Sequence, residues 1–140
     1  MSFLLDTNVV SEAVAKTPSP DVLAWVRAQP SASIHLSVAT IAEIDYGIAR
    51  LADSLRRGRL QLWRDGVVAS VGGRILPVDL IVASAWAKLR ARTQAENRTM
   101  PLIDALLAAT ADVHGLTLVT RNVRDFEAWP GAILNPWSNR

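Results

Sequence analysis

The sequence predicts a three-layer α/β fold around a parallel sheet, and three observations carry that prediction. Short apolar runs at Ser2–Leu5, Ile34–Leu36 and Leu116–Val119 alternate with longer stretches of helical apolar spacing, the pattern of repeated βαβ units. The stretch Pro101–Phe126 reads as helix, tight turn, buried strand and polar loop in direct succession. Asp6, Asn122 and Asp125 fall just past runs read as strands, at the edge where open α/β sheets build their sites.

Each element has its own local reason. Ser2–Leu5 is the first strand; Asp6-Thr7-Asn8 follows at once, and a helix starts at Val9. Thr17-Pro18-Ser19-Pro20 is a turn. Asp21–Gln29, with Val22, Leu23, Trp25 and Val26 apolar, is a helix ended by Pro30. Ile34–Leu36 is the second strand. Ser37 stands where an N-cap belongs, ahead of a helix turning Ile41, Ile44, Ile48 and Leu51 inward. Arg56-Arg57-Gly58-Arg59 opens a basic stretch, ordinarily a solvated face, and Leu60–Val71 is a further helix. Arg74–Val78 is the third strand, and Pro77 places it at an edge or a strand end. Asp79 caps a helix from Leu80 to about Glu96, with Ile81, Ala85, Trp86 and Leu89 inward. Pro101 suits the first position of the next helix, whose apolar face is Ile103, Leu106, Leu107 and Val113. Gly115 fits just past its end, where a positive φ is needed. Leu116–Val119 is a covered parallel strand, and Ala132–Leu134 is a last short strand before Asn135-Pro136-Trp137.

Composition bounds the function. The 140 residues form a single domain, 1–140, without repeats, of a size that buries a real core. Half the residues are hydrophobic, more than a small soluble monomer needs, so a dimer or a protein partner is expected. Fifteen Lys and Arg against thirteen Asp and Glu leave a net charge of only +2, but Lys16 and Lys88 are the only lysines. An Arg-rich set favours forked contacts to phosphate or carboxylate, although GC-rich coding produces the same bias. Cysteine is absent, which removes disulfides, thiol nucleophiles and zinc–thiolate sites. No signal-peptide pattern opens the chain, and no apolar run approaches the roughly 20 residues of a membrane span. The expected location is the cytoplasm.

The chemistry lies in acids that are bland one by one. Asp6 follows the first strand, Glu43 opens the helix after the second, Asp104 opens the helix before the fourth, and Asn122 and Asp125 follow the fourth. Asp6 alone reads equally well as an Asx turn, and Asp104 as a carboxylate complementing a helix dipole. Asn122 and Asp125 read as turn formers. Thr40-x-x-Glu43 matches a capping box, but Ser37 is the better cap, which leaves Glu43 nearly two turns into its helix. Together, strand-end groups of a parallel sheet share one edge and converge. Gathered carboxylates repel unless a cation lies between them. Oxygen-only ligation without Cys or clustered His points to Mg²⁺ or Mn²⁺, which suits phosphodiester hydrolysis. There is no phosphate-binding glycine loop, and His35 and His114 are read as structural.

At these residues the sequence resembles the PIN-domain ribonucleases, and within them the VapC-type toxins of VapBC toxin–antitoxin pairs, close to the FitB-like branch. The matching runs are Leu4–Val9 with Ser11-Glu12, Leu36-Ser37 with Thr40-x-Ala42-Glu43-Ile44 and Gly47-Ile48, Ala108–Ala111 with His114-Gly115, Leu118–Asn122 with Asp125-Phe126, and Asn135-Pro136-Trp137. The resemblance implies a five-stranded parallel sheet and a Mg²⁺- or Mn²⁺-dependent endoribonuclease. It also implies a homodimer, with no membrane attachment, inhibited by a cognate small DNA-binding antitoxin whose tail enters the active-site groove. Asp6, Glu43 and Asp104 match the acidic metal-site positions. Some relatives carry Asp directly after Thr-Arg, where this chain has Asn122, so Asp125 is the nearby acid and the number of tightly held metals stays open. Thr7, Asn8 and Asn122 fall in supporting positions. Arg121 and Arg124 lie beside the site as contacts to RNA phosphates, with salt bridges as the alternative.

Two other classes fit the sequence less well. A catalytically idle nucleic-acid-binding or scaffolding domain on the same fold would be favoured by loss of a core acid, and all three are present. A phosphatase built on an Asp nucleophile expects a second Asp two residues on, and position 8 is Asn.

Overall fold

The computed structural model describes residues 1–137. Five strands, β1 (Phe3–Leu5), β2 (Ile34–Ser37), β3 (Ile75–Leu76), β4 (Thr117–Val119) and β5 (Ile133–Leu134), form one sheet in the order β3-β2-β1-β4-β5. Every pairing is parallel, with Leu4 opposite His35 on one side and Leu118 on the other. The connecting helices are α1 (Thr7–Ser11), α2 (Pro20–Ala28), α3 (Val38–Ala49), α4 (Ser54–Val71), α5 (Leu80–Ala95) and α6 (Leu102–His114).

The strands divide their side chains between two cores, as a period of two dictates. Leu4 and Leu118 face Leu89 of α5 and Ala105, Leu107 and Ala108 of α6. Their neighbours Phe3, Leu5 and Val119 face Val9, Val22 and the partly buried Trp25, Val67 and Val71. Phe3 meets Trp25 edge to face, centroids 5.0 Å apart. Thus α5 and α6 cover one face, α1, α2 and α4 the other, and the expected three layers are present.

Strand order positions the site. The chain winds outward from β1 through β2 to β3, then crosses back to place β4 on the other side of β1. The carboxyl ends of β1 and β4 therefore flank the point where the winding reverses, which opens a crevice there.

Local capping agrees with the sequence at several joints. The Ser37 hydroxyl accepts from the Ala39 N–H at 3.0 Å, and Asp79 accepts from Val82 at 2.9 Å. Gly115 ends α6 with φ 64°, and β3 lies at the sheet edge, consistent with Pro77. Four details differ. Asp6 itself caps α1 by accepting from the Thr7 N–H at 2.7 Å, so that helix starts at Thr7 instead of Val9. Asp53 caps α4 through the N–H groups of Leu55 and Arg56, and the basic stretch lies in the helix's opening turns instead of before it. Pro101 is the residue before α6, extended at ψ 149°. Finally, α5 buries Leu89 and packs Trp86 against the core as expected, but at its start Val82 is buried and Ile81 exposed, so the stripe begins one residue later. No helix among the described residues is long and apolar enough to cross a membrane.

Candidate active site

Asp6 is the fixed point of the crevice. It leaves the end of β1 with its N–H donated to the Val119 carbonyl of β4 at 2.9 Å, and it is only 5% exposed. Its Oδ1 accepts from the Thr7 N–H. Its Oδ2 accepts from the Thr120 hydroxyl at 2.8 Å and from Asn8 Nδ2 at 3.3 Å. All of these donors are neutral. Burial pushes the Asp6 carboxyl above its ordinary pKa, the bonds from Thr120 and Thr7 pull it back down, and the charges of Glu43 and Asp125 raise it again.

Asp104 lies in the first turn of α6, half-buried. Burial first, then the charges of Asp6, Asp125 and Glu43, push its carboxyl up to about 7. Glu43 lies in the second turn of α3, exposed to solvent, and its Oε1 accepts from the Thr7 hydroxyl at 2.5 Å. The capping-box alternative fails, because Thr40 is inside α3 with its hydroxyl fully buried and unpartnered.

Thr120 directly follows the fourth strand, and the chain then turns tightly. The Asn122 N–H donates to the Thr120 hydroxyl at 3.0 Å. Residues Val123–Phe126 form a 3-10 turn in which the Asp125 N–H donates to the Asn122 carbonyl at 3.0 Å. Phe126, fully buried, anchors this turn in the core. A run read as a polar loop is thus an ordered turn, and it carries Asp125 back toward the acids. Arg121 and Arg124 are exposed just beyond β4.

The structure therefore brings Asp6, Glu43, Asp104 and Asp125 into one electrostatic cluster, with Thr7 and Asn8 holding the acids in place. The charges of Glu43 and Asp125 help raise the carboxyls of Asp6 and Asp104, without the four being drawn into a closed set. Among the described residues, no three His, Cys, Asp or Glu side chains form a group that holds a metal ion as they stand. The donor set nevertheless fits a hard divalent cation. It is all oxygen, it is charged in excess, and the cluster has no Lys or Arg ion pair, since the described ion pairs all belong to Arg64. Reading the sequence for acids overlooked Thr120, whose hydroxyl bonds both Asp6 and the Asn122 N–H. The available signal was a Thr at the end of the fourth strand, opposite the Asp that ends the first.

Comparison with known proteins agrees with this geometry. Residues 3–130 match the family described as PIN domain. The chain is 38% identical over 135 residues to VapC ribonuclease Y4jK of Sinorhizobium fredii, covering 96% of each chain. It is 35% identical over 135 residues to Toxin FitB of Neisseria gonorrhoeae, covering 96% of this chain and 97% of that one. A solved structure of FitAB bound to the IR36 DNA fragment superposes with a TM-score of 0.92 at 33% identity, covering 99% of this chain and 97% of the other.

Proposed function

This chain belongs to the PIN-domain family, and we propose that it is a metal-dependent endoribonuclease acting as the toxin of a toxin–antitoxin pair. The observation that carries the reading is the cluster of Asp6, Glu43, Asp104 and Asp125 at the β1–β4 crevice, charged in excess and without an ion pair to Lys or Arg among the described residues. The names of relatives that share about a third of its residues, a VapC ribonuclease and a toxin, support it. An idle scaffold would have no reason to keep a buried carboxylate and a second one near its midpoint at pH 7.

The oxygen donors suit Mg²⁺ or Mn²⁺. A divalent cation held there lowers the pKa of an attacking water and stabilises charge on the scissile phosphate. Asp6, fixed by Thr7, Asn8 and Thr120, is a pre-oriented ligand. Asp104 supplies the second carboxylate. Glu43, aligned by the Thr7 hydroxyl, completes the ion's shell or orients the water. Asp125 is the fourth acid, and Arg121 and Arg124 face the incoming RNA phosphates. Glu43 and Asp125, both exposed, can change rotamer with little loss of packing.

Partners follow from two surfaces. A groove of about 620 Å³ between α1, α2 and α4 is lined by apolar side chains including Val9, Val10, Leu23, Val26, Trp63 and Val67. It fits an apolar antitoxin segment, and a basic residue beyond that segment would enter the acids in place of metal. The related FitAB assembly is bound to DNA, which supports a DNA-binding antitoxin here. Exposed apolar residues at the starts of α3, α5 and α6, including Val38, Leu80, Ile81 and Leu102, support a homodimer. A cytoplasmic location goes with the proposed RNA substrate.

The test is expression of this chain alone in a bacterium, paired with cleavage of RNA by the purified protein in Mg²⁺. Growth arrest and cleavage are expected, and Asp6→Ala should abolish both. Arrest that persists in Asp6→Ala would refute the assignment of toxicity to this site.

A further inference from the structure

Two positively charged residues follow β4, and the structure treats them differently. The guanidinium carbon of Arg121 lies 5.3 Å from the ring centroid of Trp137, within the range of an attractive cation–π contact. Trp137 is itself held. Its N–H donates to Asn135 Oδ1 at 2.9 Å, Pro136 before it is fully buried, and its ring packs partly buried against the core that contains Leu5 and Val119. The backbone of Arg121 is held too: its N–H donates to Asn8 Oδ1 at 3.3 Å, and the same Asn8 amide donates to Asp6. Arg121 is exposed, and among the described residues it has no carboxylate within ion-pair distance. An Arg pinned at its backbone, held beside a fixed ring, and without an ion pair among the described residues keeps N–H donors for a ligand. Arg124 has no comparable ring contact among the described residues.

Resting on the ribonuclease reading above, we propose that Arg121 grips an RNA phosphate beside the acid cluster and that Trp137 is a positioning residue for it. Trp137 stacks the guanidinium so that its donor edge faces the crevice before substrate arrives. Stacking leaves the in-plane N–H groups free for a forked contact to phosphate oxygens. Pre-ordering removes part of the side-chain entropy that gripping would otherwise cost. The contact is to backbone and not to bases, so it supports affinity at many sequences and does not select one.

The experiment measures binding and cleavage separately. Binding of a fluorescein-labelled, mixed-sequence single-stranded oligoribonucleotide is read by anisotropy in the Asp104→Asn background, across a range of salt. Cleavage kinetics of the same oligonucleotide are read in the otherwise native protein. Arg121→Ala should weaken binding about tenfold and reduce the slope of log K against log salt by about 0.7, one single-strand phosphate contact. Its effect on cleavage should fall mainly on KM. Trp137→Ala should weaken binding severalfold, with Trp137→Phe restoring most of the loss. In the Arg121→Ala background, Trp137→Ala should change binding less than twofold, because the ring acts through the guanidinium. A Trp137 that merely supports the fold would cost the same in both backgrounds, and that outcome overturns the proposal, as does an Arg121→Ala protein with native affinity and salt slope. A native protein that cleaves no RNA in Mg²⁺ refutes the ribonuclease reading itself, which separates the two failures.

Discussion

Replacing Asp104 with Asn tests both the cluster and its chemistry, because stability and activity should move in opposite directions. The Asp104 carboxyl is raised from 3.8 to about 7 by burial and by the charges of Asp6, Asp125 and Glu43. Three units at about 1.36 kcal/mol each set an upper bound of about 4 kcal/mol, and solvent screening at a half-buried group reduces this to roughly 1–2 kcal/mol. The sign follows from linkage. A folded-state pKa above the unfolded one gives stability that is intact below about pH 3.8, declines as pH rises, and is gone above about pH 7. Metal-free Asp104→Asn should therefore melt at the native temperature near pH 4, and roughly 3–8 °C higher at pH 8. The assay is thermal unfolding in EDTA at both pH values, followed by cleavage of RNA in Mg²⁺. Added Mg²⁺ should raise the melting temperature of the native protein at pH 8 by preferential binding to the folded state, and should raise that of the variant far less. Equal melting of both proteins at pH 8 without metal would refute the electrostatic argument, and full cleavage by the variant would refute the role of Asp104.

Other consequences are separately measurable. Thr120→Val removes the hydroxyl that bonds Asp6 and Asn122; denaturant unfolding should show a loss of roughly 1–3 kcal/mol, with reduced cleavage. Asp125→Ala should reduce cleavage substantially while calorimetry still detects one bound metal, and Asn122→Ala should cost less because its described bonds are backbone ones; a loss of metal binding only in Asn122→Ala would reverse the two roles. Light scattering at micromolar concentration should return twice the 15.2 kDa of one chain, and a mass of 15.2 kDa would count against the homodimer.

Local chemistry made much of the fold legible. Gly115 announced the end of α6, Ser37 the start of α3, and Pro77 an edge strand, because each residue type suits one backbone situation. Helix starts were less legible where two caps compete. Asp53 and Asp79 have the same role, but the arginines after Asp53 drew attention to charge and away from the cap. The stripe of α5 was misplaced at Ile81 because a helix with apolar residues on several sides does not declare which side is covered. Strand order was not legible at all, since it depends on which helices pack on which face. Without it, convergence of Asp6 and Asp104 was an assumption about where α6 points. Thr120 escaped notice for a related reason: its importance lies in a bond to a residue 114 positions away.

The two central acids share their surroundings and differ in their donors. Both are raised by burial and by neighbouring carboxylates. Asp6 also receives the Thr120 hydroxyl and the Thr7 N–H, which favour its ionised form. Asp104 has no lowering contribution of this kind and rests near neutrality. The same strand ends that create the crevice thus create the asymmetry, since Thr7 opens α1 just past β1 and Thr120 directly follows β4. Asp6 is held by donors that favour its charge, and Asp104 is without them. On the function proposed above, Asp6 and Asp104 would hold a divalent cation, whose charge would offset the repulsion that raises the Asp104 carboxyl. On the same proposal, a basic side chain inserted by a protein partner would meet the electrostatic demand that a cation meets.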